Sequence, residues 1–146
     1  MKNIFLIFCL VTINSVFAQQ FTADSLKGEW VCKEAVVTET ITDAQMKQIT
    51  AMLKKGFVNS RFIFREDEIV NFYLPKDAPA KMKDLVFLDN KKWRYDSEIG
   101  LISIDPQIME IKVTKGDGFL TFQLEEIPLS LKMVLRIRYP EARGLV

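Results

Sequence analysis

Leu129-Ser130-Leu131-Lys132-Met133-Val134-Leu135-Arg136-Ile137-Arg138-Tyr139 decides the fold of this 146-residue chain. Leu129, Leu131, Met133, Leu135, Ile137 and Tyr139 alternate with Ser130, Lys132, Val134, Arg136 and Arg138. A period of two gathers the apolar set on one side, as in a β-strand; a helix would scatter the lysine and arginines into that face. A strand of this length with one apolar face must rest on a core, and the segments upstream can supply it.

Working back toward the amino terminus, Phe119 to Glu125 turns Leu120, Phe122 and Leu124 one way and Thr121 and Gln123 the other. Lys115-Gly116-Asp117-Gly118 before it is the strongest turn signal in the chain. Ile108 to Thr114 sets Met109, Ile111 and Val113 against Glu110, Lys112 and Thr114. Trp93 to Asp96 and Leu101 to Asp105 predict a hairpin around Ser97 to Gly100, where glycine can take a positive φ, with Pro106 closing the pair. Arg61 to Arg65 and Ile69 to Leu74 predict another, turning at Glu66-Asp67. The first strand, Glu29 to about Thr38, faces Trp30, Cys32 and Val36 inward, with Glu34 interrupting the apolar side. The expectation is a mainly β, antiparallel, up-and-down barrel of eight strands.

One helix interrupts the series, at about 42–55. Thr42-Asp43-Ala44-Gln45 fits a capping box. Met46, Ile49, Met52 and Leu53 recur at helical spacing, Lys54 and Lys55 suit the carboxyl end, and Gly56 supplies the stop. These four apolar residues make the helix a lid candidate, since thioethers adapt to varied apolar partners; packing onto the barrel is the plainer role for the methionines. Pro75 to Lys92 reads as a mouth loop, in which Leu85-Val86-Phe87-Leu88 could form a short extra strand.

The first eighteen residues predict export. Lys2, the apolar run Ile4 to Val11 and the small-residue site Val16-Phe17-Ala18 fit a cleaved signal peptide over 1–18, with one domain over 19–146. The run is too short to span a bilayer, which takes about 20 apolar residues, and Cys9 follows bulky Phe8, unlike a lipoprotein site. The expected location is periplasmic or extracellular. Lys2 is the only charge in this segment, so the remainder carries 19 basic and 19 acidic residues. No basic surplus is available for nucleic acid. Cys32 is the only cysteine of the remainder, so it has no intramolecular disulfide partner there. The chain has no histidine, which removes the commonest metal ligand and general base; no metal and no cofactor are expected.

Leu26-Lys27-Gly28-Glu29-Trp30, the helix after the first strand, Lys92-Trp93-Arg94-Tyr95-Asp96 and Glu126-Ile127-Pro128-Leu129 together resemble the small secreted lipocalin-like proteins of bacteria. The order of elements is also similar to that of fatty-acid-binding barrels. The lipocalin resemblance implies that Gly28 and Trp30 form the closed floor of the barrel, with Arg136 or Arg138 packed on the indole, although alternation sets both arginines opposite Leu135 and Ile137. It further implies a small apolar ligand, of the lipid or fatty-acid class, inside the barrel. Inward-facing candidates for a cavity lining are Phe62, Phe64, Phe72, Trp93, Tyr95, Phe122 and Met133, with Glu34, Asn71 and Tyr95 as polar groups. A barrel filled by those side chains, acting as an envelope interaction or structural module, is the alternative. An enzyme would have to use Glu34 as an inward carboxylate base; without a nucleophile or metal motif the expectation is a non-enzyme. Oligomeric state has no sequence signature here.

Overall fold

The alternating segments all become strands. In the computed structural model, which describes residues 21–105 and 108–138, β1 is Gly28–Val37, β2 Arg61–Phe64, β3 Ile69–Tyr73 and β4 Lys91–Asp96. β5 is Leu101–Ile104, β6 Met109–Lys115, β7 Leu120–Leu124 and β8 Leu129–Arg138. Neighbours in sequence pair antiparallel and β8 returns to β1, closing an up-and-down barrel of eight strands. The segment 1–18 expected to be a signal peptide, Pro106 and Tyr139 lie outside the described residues.

The closing seam runs from Gly28↔Arg138 to Val37↔Leu129 and contains two bulges. Gly28 has φ +146, and a Cβ there would overlap the Ile137 carbonyl oxygen, so the glycine permits the close approach of β8. One bulge leaves Arg136 without an opposite residue, between Trp30↔Leu135 and Glu29↔Ile137. The other leaves Lys33 unpaired, between Cys32↔Met133 and Glu34↔Lys132. An extra residue in one strand shifts its alternation by one. Glu34 and Val36, expected inward or on the apolar side, are therefore exposed, and Ala35 is buried in their stead.

Three helical segments accompany the barrel. α1 (Ala23–Leu26) precedes β1, and α2 (Ala44–Phe57) joins β1 to β2. A 3-10 helix over Ala80–Leu88 occupies the β3–β4 connection and replaces the extra strand expected at Leu85 to Leu88. The β3–β4 ladder is short, pairing only Ile69↔Lys92 and Val70↔Lys91. Past that short ladder Asp89 does a strand's work: its Oδ1 accepts from the Phe72 N–H and from Asn71 Nδ2, each at 3.0 Å.

The ends of α2 differ from expectation. Asp43, not Thr42, is the cap, its Oδ1 accepting from the Gln45 N–H at 3.4 Å. Gly56 does not end the helix but lies within its last turn, where a Cβ would overlap Met82 Sδ. The small residue is there to receive a side chain from the 3-10 helix. At the predicted hairpin Gly100 takes φ +66 as the turn requires.

Candidate functional site

Up-and-down topology divides the connections between the two barrel ends. α2, the 3-10 helix and the β5–β6 and β7–β8 turns lie at one; α1 and the β2–β3, β4–β5 and β6–β7 turns lie at the other, with Trp30.

Between the ends, the candidate cavity lining is brought together as a packed core. Phe62 and Phe64 of β2 meet Phe122 of β7 at centroid distances of 5.8 and 6.1 Å, edge to face. Phe62 also meets Phe72 at 4.8 Å, and Phe64 meets Trp93 at 5.0 Å. Offset and edge-on contacts of this kind are the favourable ones for aromatic rings. Phe62, Phe64, Phe122 and Met133 have 0 % exposure, so none of them borders a space that admits water. The Trp93 indole N–H is buried there without an acceptor.

Three polar candidates take other places. Glu34 is exposed on the outside of β1, placed there by the Lys33 bulge. Asn71 is on the opposite side of β3 from buried Val70 and Phe72, and donates to Asp89. Tyr95 is half-buried near α1, its ring edge-on to Phe21 at 5.9 Å. Burial raises the Tyr95 hydroxyl pKa above its ordinary value, with a further push from Asp96.

At the helix end, α2 is seated by its carboxyl-terminal part. Phe57 and Gly56 are buried, and Met52 and Leu53 are half-buried against the core. Met46 and Ile49, on the same helical stripe, remain 41 % and 37 % exposed. Along another face of this helix a groove of about 330 Å³ runs between α2 and the chain leaving β1, lined by Val37, Ile41, Thr50 and Ala51, with Glu39, Lys47 and Lys54 also in its wall. Thr50 Oγ1 is buried and has no hydrogen-bond partner. The groove residues escaped the sequence reading because only folding brings residues 37–41 beside the helix; Lys47 and Lys54, one face apart by seven residues, were the available signal.

Trp30 lies at the other end of the barrel, beside α1. Trp30 is buried, and its Nε1 donates to the Leu26 carbonyl at 2.8 Å, fixing α1 across the opening. The two candidate partner arginines part company. Arg136 is outside, 3.9 Å from Glu29 Oε1. Arg138 Nη1 reaches the Ser25 carbonyl at 3.3 Å and borders a surface depression with Trp30. Glu29 is itself only 4 % exposed, although it is on the outer face, because Arg61 pairs with it at 2.8 Å and Arg61 in turn lies over Tyr73.

Buried Cys32 donates its thiol hydrogen to the Glu34 carbonyl at 3.4 Å, and burial pushes its pKa up to about 11. A thiol that stays protonated is a poor nucleophile. Among the described residues no group of three or more acidic, cysteine or histidine side chains could hold a metal ion, and no helix is long and apolar enough to cross a membrane. Comparison with protein-family models, curated proteins and solved structures gave no match to this chain.

Proposed function

We propose that the chain is an exported, lipocalin-like protein that binds a small apolar ligand, of the lipid or fatty-acid class, without acting on it. The ligand lies under and beside α2 at the helix end, rather than between the packed rings of the lumen. The observation that carries this reading is the helix end: Met46 and Ile49 project from a helix seated by its carboxyl-terminal half, and an apolar groove with two lysines in its wall runs along another face of the same helix. An aliphatic chain would cover the apolar stripe and a carboxylate head would meet Lys47 or Lys54. Glu34 is in solvent, so the alternative of a buried carboxylate base loses the burial it depended on. Native mass spectrometry of the purified protein, with thermal unfolding across a panel of fatty acids, tests the proposal. A bound fatty acid, or a rise in Tm that disappears in Ile49→Asp, is the expected result; no bound species and no shift across the panel would overturn it.

A second reading has its own observation. The ring contacts that join β2 to β7 and the full burial of Phe62, Phe64 and Phe122 suit a solid barrel that serves as an interaction module. Under that reading the fatty-acid panel is silent and the protein's surfaces do the recognition.

A further inference from the structure

At the end opposite α2, the geometry points to a second binding site, one for a small amphipathic anion: an aromatic or aliphatic group bearing a carboxylate or sulfonate. The site is the surface depression bordered by α1, β8 and the β6–β7 turn, with a volume of about 390 Å³, within the range of small-ligand pockets. Phe21, Trp30 and Phe119 supply aromatic surface, and Lys115 and Arg138 supply charge. Its lining contains no carboxylate.

Arg138 is the centre of the argument. It is half-buried, and among the described residues its only hydrogen bond is from Nη1 to the neutral Ser25 carbonyl at 3.3 Å, and none of their acidic side chains lies within ion-pairing distance of it. A partly desolvated guanidinium without a counter-charge is unfavourable, and its remaining donors form a planar fork suited to a carboxylate or sulfonate. The nearest acid on α1, Asp24, is held by Lys27 at 2.8 Å and is exposed. Lys132, on the neighbouring part of β8, lies 4.6 Å from the Phe119 ring centroid and adds to the positive field. The groups around the depression are thus a cation fork, a second cation and aromatic faces. That set matches an anion with an apolar body.

The probe for this site is 1-anilinonaphthalene-8-sulfonate, followed by its fluorescence and by the indole N–H signals of Trp30 and Trp93 in nitrogen-15 spectra. The expected result is saturable binding that moves the Trp30 signal and leaves that of Trp93, competition by decanoate and none by decanol. Arg138→Gln and Lys115→Gln should each weaken binding about tenfold or more, while Lys76→Gln at the far end leaves it unchanged. Lys115 is exposed, so its variant retains the fold if Arg138→Gln does not. Absence of binding, binding that moves Trp93 instead, equal competition by decanol, or binding that survives Lys115→Gln but fails in Lys76→Gln would each overturn the proposal.

Discussion

Gly56 carries the thioether of Met82 directly against its Cα, in the last turn of α2, where the helix is seated on the barrel. In an exposed helix, glycine to alanine gains about 1 kcal/mol. Here the added methyl meets buried Met82, and Gly56→Ala is expected to lower stability by about 1–3 kcal/mol, the usual cost of overpacking. Urea unfolding of Gly56→Ala, Met82→Ala and the double variant checks this, since the cycle should show the two changes coupled; a stabilised Gly56→Ala would mean that Met82 moves aside freely. Cys32 gives a pH prediction. Its thiol ionises at about 11 in the fold against an ordinary 9.0, so between those values the unfolded chain releases a proton that the folded chain keeps. The contribution is complete below pH 9 and is lost as pH rises toward 11. Stability should therefore fall more steeply with pH in the natural protein than in Cys32→Ala over that window. The raised Tyr95 adds a loss of the same sign in both proteins.

Every strand was legible from alternation, with ends displaced by one or two residues, because a one-sided core imposes period two wherever a strand rests on it. Bulges were not legible, for they insert a residue without a compositional mark. The Lys33 bulge is the instructive one: an unbroken β1 would turn Glu34 inward, whereas the actual strand turns Ala35 inward and sends Glu34 to solvent. Deleting Lys33 removes the extra residue and leaves regular alternation, with Glu34 still outward and Ala35 still inward. The upper β1–β8 seam then pairs without its bulge, and cooperative unfolding followed by circular dichroism is expected to persist, with stability within about 1 kcal/mol of the natural protein. Loss of cooperative unfolding would show that the bulge itself holds the seam. The helix was read correctly from its stripe, but its cap moved from Thr42 to the adjacent Asp43, since two neighbouring residues could each offer an oxygen to the first turn. Leu85 to Leu88 had the composition of a strand but belong to the 3-10 helix, and the β3 edge beyond Val70 is met instead by the Asp89 side chain.

At the scale of the molecule, alternation put Phe62, Phe64, Phe72 and Phe122 on the inner face but could not say whether they line a space or fill one. That distinction depends on how far each ring reaches across the barrel, and β2 and β7 prove close enough for their rings to touch. The depression beside Arg138 was illegible because it joins residues from distant segments, and the groove beside α2 because it depends on how the chain leaving β1 turns back along the helix. The filled lumen predicts that Phe122→Ala costs about 3–5 kcal/mol and leaves an apolar cavity. Such a cavity should bind benzene, measured as a rise in Tm that the unaltered protein does not show; benzene binding equally well to both would mean that space exists already. The closing seam has a kinetic consequence. Gly28↔Arg138 joins residues more than about a hundred positions apart, and non-local pairing of this kind slows folding to the millisecond-to-second range. Until β8 arrives, β1 and β7 both present unpaired edges, open to another copy of the chain. The last ten-residue strand therefore acts as a molecular clasp, and the time between its synthesis and its docking is the interval in which this protein is most exposed to aggregation.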